Sequence, residues 1–242
     1  MKILLIGYGR MGKEIEKAAR GKAWEIVHII DKAADWEQDE EWKAADVAID
    51  FSIPEAAAGN ILRCFDASIP IVCGTTGWLD QLDIIREACH RHSAALVYAP
   101  NFSKGVNLFF RLNQVLATWM EAQAEYDVKL KEFHHVHKLD APSGTALKLG
   151  QDIIEVLARK SDWKSGPDVS PDQLEIRSVR NSEIPGTHKI DWVSEADEIS
   201  LIHRAKSRTI FVSGALEAAE WIIGRKGVFT YQEVLFGAGK KQ

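Results

Sequence analysis

The sequence predicts an α/β protein: a mostly parallel sheet in the N-terminal part, then an α+β domain with a sheet of its own. Three observations carry this. The first hundred residues alternate short apolar runs with longer amphipathic segments, the pattern of βα units. After Tyr98 the pattern turns to long helical stretches and then to β-like runs with no helix between them. A chain of 242 residues, 46% of them hydrophobic, can bury one large core or two smaller ones.

In chain order, apolar runs predict strands at 2–6, 25–30, 47–50, 70–73 and 94–98. Between them, 11–19, 54–67 and 79–92 read as helices, with Pro54 suited to a first turn because its missing N–H would be unpaired there anyway. The acidic stretch 32–45 reads as an irregular connection. Beyond Tyr98 come a long helix at 106–125, a strand at 128–134, a turn at 140–144 and a helix at 145–160. A loop rich in Pro, Ser and Asp follows at 161–171, then strands at 174–179, 189–193 and 198–205 and a last helix at 214–224. No internal repeat or low-complexity tract is visible.

Composition narrows the function. A formal net charge of -5 gives no broad positive field, so neither nucleic acid nor an anionic membrane is an expected partner. The cysteines Cys64, Cys73 and Cys89 form no CxxC pair, which suits a reducing compartment and small buried side chains rather than a disulfide framework. The opening apolar run breaks at Gly7 and Arg10, too short for an export signal, and no stretch of the length a membrane span needs occurs. A cytoplasmic location is expected.

Gly7-Tyr8-Gly9-Arg10-Met11-Gly12 is a GxGxxG sequence between a strand and a helix. The first glycine permits the tight turn, the second lets the backbone approach a pyrophosphate, and the third lets helix and strand pack closely. The helix N-terminus then offers N–H groups to the anion. Asp31 follows the second strand, where a carboxylate accepts hydrogen bonds from ribose hydroxyls, while Lys32 and Arg10 could neutralise a 2′-phosphate. The expected cofactor is therefore NADH or NADPH. Two further loops fall at the carboxyl ends of strands: Gly74-Thr75-Thr76-Gly77, with hydroxyls to reach a ribose or nicotinamide, and Ala99-Pro100-Asn101-Phe102, with an amide and an aromatic face.

The densest chemical signal is Glu132-Phe133-His134-His135-Val136-His137-Lys138-Leu139-Asp140-Ala141-Pro142-Ser143-Gly144-Thr145. A metal site built from its three histidines would need the strand to break, since His135 and His137 face one way and His134 the other; no metal is expected. Proton transfer by a histidine and a lysine fits better. Ser143-Gly144-Thr145 opens a helix, whose free N–H groups favour a carboxylate. The site wants an anionic substrate.

With these residues in view, the chain resembles the dihydrodipicolinate reductases, also called 4-hydroxy-tetrahydrodipicolinate reductases. The resemblance runs through Gly9–Gly12, Asp50-Phe51-Ser52, Gly74–Gly77, Asn101-Phe102-Ser103-Lys104-Gly105, the segment 132–146 and Gly186-Thr187-His188. It implies hydride transfer from NADH or NADPH to C4 of a conjugated cyclic imine, with water lost from the 4-hydroxy precursor, in lysine and diaminopimelate biosynthesis. By matching position, His134 would be the acid/base residue and Lys138 the proton donor. His135, Ser143, Gly144 and Thr145 would bind the carboxylates of a small dicarboxylate substrate. Gly7, Gly9, Arg10, Met11, Gly12, Asp31, Lys32, Gly74, Thr75, Thr76, Ala99, Pro100, Asn101 and Phe102 would line the cofactor. The implied architecture is a Rossmann-type dinucleotide-binding domain, 1–102 with 213–242, and a substrate-binding and oligomerisation domain, 103–212, in a homotetramer.

The chain departs from the family pattern in three places. Its glycines are spaced GxGxxG rather than GxxGxxG, Ser182 replaces a glycine beside Arg180, and the connections after Asp31 are short. The rivals are an amino-acid dehydrogenase on the same fold, which would leave the segment from Lys138 to Thr145 unexplained, and a non-catalytic dinucleotide sensor, which would have no use for His134 and Lys138.

Overall fold

The structure, a computed structural model, describes residues 1–181, 183–207 and 209–237, so Ser182 lies outside the described residues. The chain divides into two compact units, 1–104 with 209–242, and 105–208.

The first unit is built on β1 (Lys2–Ile6), β2 (Glu25–Ile30), β3 (Val47–Asp50), β4 (Ile71–Cys73), β5 (Ala95–Tyr98) and a later strand, Gly227–Thr230. All pair in parallel, in the order Gly227–Thr230, β5, β4, β3, β1, β2. Both faces are covered, which is why the strands read as unbroken apolar runs. Leu4 and Ile6 face α2 (Pro54–Asp66) and α3 (Leu82–His92), while Ile3 and Leu5 face α1 (Arg10–Gly21) and a returning helix, Thr209–Ile222. Cys64, Cys73 and Cys89 are buried on the α2–α3 side. Because β1 lies between β2 and β3, the crossovers leave it in opposite directions. That makes the β1/β3 edge the switch point where doubly wound sheets take their ligands.

The second unit has a five-stranded mixed sheet. Its strands are β6 (Asp127–His134), β7 (Asp162–Ser165), β8 (Gln173–Arg180), β9 (Thr187–Val193) and β10 (Glu198–Arg204), in the order β10, β9, β6, β8, β7. One face packs on α4 (Lys104–Met120) and α5 (Gly144–Ile154) through Phe109, Phe110, Leu130, Leu149, Ile176 and Trp192. The returning helix Thr209–Ile222 is α6, the strand Gly227–Thr230 is β11, and a short α7 (Tyr231–Phe236) ends the described chain.

The α/β class stands as predicted, and several local expectations need correction. The loop expected over 161–171 contains β7, an edge strand that is mostly exposed and so lacks an apolar pattern. The helix expected to Lys160 ends at Ile154, and the one expected to Glu125 ends at Met120. The start of the 79–92 helix is a 3-10 turn, Leu79–Gln81. The stretch 32–45 contains two 3-10 turns that bury Trp36 and Trp42 edge to face, with ring centroids 5.0 Å apart. The segment past α6 adds β11 and α7, both too short to show a period.

Candidate functional site

The glycine turn sits at the switch point and is cut to backbone dimensions. Gly7 has φ +83° and donates its N–H to Ile30 O at 2.7 Å; a Cβ there would meet Phe51 O at 2.4 Å. A Cβ on Gly12 would meet Gly7 O at 2.2 Å. Gly9 caps α1 without a side chain, leaving the helix N–H groups facing outward. Asp31 is exposed and oriented by the Tyr8 N–H at 2.8 Å, while Asp35 accepts the N–H groups of Asp31 (2.8 Å) and Lys32 (2.7 Å).

Two cavities flank this turn. One of about 610 Å³ is lined by Gly7, Tyr8, Gly9, Asp31, Lys32, Trp36 and, from α2, Arg63. The other, about 340 Å³, is lined by Gly9, Arg10, Met11, Phe51, Gly74, Thr75 and Thr76. Two carboxylates, Asp31 and Glu55, and two cations, Lys32 and Arg63, share the larger one. Gly12 is buried beneath the turn and acts through packing.

The two remaining loops differ from expectation. The Thr75 hydroxyl does not reach outward: it donates to Asp50 Oδ1 at 2.8 Å and accepts the Ser52 N–H at 2.9 Å, leaving Thr76 as the exposed hydroxyl. Asp50, missed in the sequence as anything but part of a motif, is fully buried and also accepts from Ser52 N (2.8 Å) and Asn60 Nδ2 (3.0 Å), so it ties the loops after β3 and β4 to α2. Burial pushes its carboxyl up in spite of these bonds. Ala99, Pro100, Asn101 and Phe102 line neither cavity. The ring of Phe102 is a core side chain, 1% exposed, against Phe51 and Tyr231, and Asn101 turns its Oδ1 to the Ser103 N–H.

In the second unit the site grows out of β6. Alternation puts Val128, Leu130, Glu132 and His134 on the buried face, so the last two carry the apolar row into a polar end. Register sets Glu132 between His188 on β9 and Ser178 on β8, and His134 beside Arg180. Glu132 Oε1 accepts from Ser143 N (3.0 Å), Ser178 Oγ (2.8 Å) and Arg180 Nη2 (3.2 Å). Arg180 also donates to the carbonyls of Lys138 and Asp140, so it pins the turn that carries Lys138, whose Nζ lies 2.7 Å from Asp140 Oδ1.

Burial pushes Glu132 up, but the His188 ring, Ser143 and Ser178 outweigh it and hold the carboxyl well below the usual carboxylate range. Burial, aided by His188, Lys138 and Arg180, lowers His134 from 6.5 to about 4 against the pull of Glu132. The imidazole is neutral at pH 7. An unfolded chain would bind a proton at His134 below pH 6.5 that the folded one refuses until about pH 4, so acid costs stability across that window. Melting temperature is expected to fall from pH 7 to pH 4, and more shallowly in His134→Gln; an unchanged slope would contradict the neutral buried imidazole.

Ser143 caps α5. Its Oγ accepts the Ala146 N–H at 3.2 Å and lies 3.2 Å from His188 Nε2, and its N–H goes to Glu132. These contacts fix its orientation at the helix start, and the N–H groups of Gly144 and Thr145 have no helix carbonyl behind them. β6 ends at His134, and His135 and His137 enter a turn with their rings 6.2 Å apart. The donor atoms that converge are those of Glu132, His134 and His188, within 4.8 Å of one another. Arg180 on the same carboxylate and Lys138 nearby repel a divalent cation there. His188 on β9 and Arg180 on β8 are brought to the site by sheet register; in the sequence the signals for them are the Gly186-Thr187-His188 motif and the family-like stretch around Arg180.

A doubly wound sheet with a glycine turn that only hydrogen can fill, and an acid fixed after β2, defines a dinucleotide-binding protein of the NAD(P) type. The family model for the dihydrodipicolinate reductase N-terminus matches residues 1–102, and the one for its C-terminus matches 105–235. A 4-hydroxy-tetrahydrodipicolinate reductase of Christiangramia forsetii is 43% identical over 235 residues, 97% of this chain and 98% of its own. One from Methanopyrus kandleri is 39% identical over 206 residues, 82% of this chain and 74% of its own. Among solved structures, a dipicolinate-bound dihydrodipicolinate reductase from Paenisporosarcina sp. TG-14 shares the fold, with a TM-score of 0.78 at 23% identity, covering 95% of this chain and 97% of that one. The chain belongs to the dihydrodipicolinate reductase family.

Proposed function

We propose that the protein reduces 4-hydroxy-tetrahydrodipicolinate to tetrahydrodipicolinate with NADH or NADPH, in lysine and diaminopimelate biosynthesis, and that Lys138 delivers the proton. One contrast carries the assignment: His134 is buried and neutral at pH 7, whereas the Lys138 ammonium is held ready by Asp140. The reduced nicotinamide, when bound, supplies the hydride that adds at C4 after water leaves. Addition leaves the ring one proton short, and Lys138 Nζ–H supplies it. Two substrate carboxylates beside His134 raise its proton affinity, so the imidazole can then take up and pass on a proton.

Gly144 and Thr145 meet one carboxylate with the N–H groups of the α5 start, an attraction of about 0.3–1 kcal/mol when exposed. His135, with its half-buried ring and a buried, unpartnered Nδ1, serves the other. Gly7, Gly9, Arg10, Met11, Gly74 and Thr76 hold the dinucleotide phosphates and nicotinamide ribose. Asp31 receives the adenosine ribose, and Lys32 with Arg63 accepts a 2′-phosphate, so both cofactors are used. A homotetramer in the cytoplasm belongs to the same proposal; among the described residues no helix is long and apolar enough to cross a membrane.

Pyridine-2,6-dicarboxylate, a planar ring that cannot be reduced, tests the substrate class. It is expected to compete with substrate. Gly144→Pro, which removes one N–H at a first-turn position that tolerates proline, is expected to weaken it by about 1–2 kcal/mol, roughly 5- to 30-fold. Absence of competition, or indifference to Gly144→Pro, would remove the α5 start from substrate binding.

A further inference from the structure

We propose that Glu132 is a positioning residue: from a core place on β6 its carboxylate fixes the tautomer of His134 and, through Ser143, the start of α5. The proposal rests on the reading of His134 as a proton-handling group.

The argument begins with where this carboxylate is. Glu132 is 0% exposed and continues the row Val128, Leu130, a row that the alternation of β6 sends into the apolar core. A buried anion at such a place costs several kcal/mol unless it is paired and hydrogen-bonded. One oxygen is fully engaged, by Ser143 N, Ser178 Oγ and Arg180 Nη2. That would suffice for a structural anchor.

The second oxygen is not used in that way. Oε2 lies 3.4 Å from His134 Nδ1 and 3.6 Å from His188 Nε2, buried and without a hydrogen bond, and His134 Nδ1 is likewise buried and unpartnered. Orphaned buried polar atoms are uncommon, and here two of them face one another. Catalytic hydrogen bonds are often long in ligand-free structures and shorten in the complex. Closing this gap makes His134 Nδ1–H donate to Glu132 Oε2, which leaves Nε2, on the side of Gly186, with its lone pair free to accept a proton. The same carboxylate holds the Ser143 N–H, so the imidazole and the helix start that meets the substrate are set by one group. His188 completes the arrangement by contacting Ser143 Oγ at 3.2 Å.

The charged groups facing His134 are Glu132 on its own strand, Arg180 on β8, His188 on β9 and Lys138 on the following turn, the last paired with Asp140. Of these only Glu132 raises its proton affinity. Its loss is therefore expected to move the acid limb of the rate profile to lower pH.

The test has two parts. In the wild-type holoenzyme, long-range nitrogen–proton correlation of the imidazoles at neutral pH is expected to show His134 as the Nδ1–H tautomer; the Nε2–H tautomer would overturn the proposal even if Glu132 variants failed to fold. Glu132→Gln is expected to lower kcat about 10- to 100-fold and raise the substrate KM, with the acid limb displaced and cofactor affinity unchanged, and Glu132→Asp to recover part of the loss. A loss in Glu132→Gln without displacement of the acid limb, or no recovery in Glu132→Asp, would make Glu132 a structural anchor only. If the Nδ1–H tautomer is found but His134→Gln keeps full activity, the reading of His134 fails while its tautomer control by Glu132 stands.

Discussion

Lys138→Met is expected to lower kcat by about 10²–10⁴-fold, or about 3–5 kcal/mol of barrier, with the dissociation constants of NADH and NADPH unchanged. The substitution keeps an unbranched side chain of similar length and removes only the charge and the transferable proton. Lys138 is half-buried with its ammonium held by Asp140, and no residue of the glycine turn or of its two cavities belongs to this segment. Steady-state kinetics with a fluorescence titration of each reduced cofactor reads both quantities. Full activity would transfer the proton to another group; lost cofactor binding would mean that the turn serves the dinucleotide.

His134→Gln is expected to reduce turnover about 10²-fold or more and to leave cofactor affinity nearly unchanged. The amide fills similar space but cannot exchange a proton. Because His134 and Lys138 serve one proton transfer, the double variant should lose less than the product of the single losses. Strict additivity would show that the two act on separate steps. Unchanged turnover with weakened NADH binding would overturn the assignment of His134 to chemistry.

The parts of the molecule legible in the sequence are those whose physics is local. A strand buried on both faces, a turn that only glycine can make and a helix opened by a serine cap each announce themselves within a few residues, and β1, the Gly7–Gly12 turn and the start of α5 lie where the sequence places them. The features that were not legible depend on contacts between segments distant in sequence. Glu132 reads as an ordinary acid on a half-exposed strand until β9 and β8 bring His188 and Ser178 to its two sides. Thr75 reads as an available hydroxyl until Asp50, 25 positions earlier, takes it inward. Phe102 reads as a loop aromatic until Phe51 and Tyr231 enclose it. Trp36 and Trp42 show the same limit in reverse, since an acidic stretch with no period still buries two large rings against the sheet.

The most direct test of the proposed activity is consumption of NADH and NADPH, followed by loss of the reduced-nicotinamide absorbance, with substrate made in place from pyruvate and aspartate semialdehyde by a purified synthase. Rapid loss that requires the synthase and proceeds with both cofactors is the expected result. No loss with either cofactor, in protein shown to bind them, would contradict the account and leave a dinucleotide-binding protein without this chemistry.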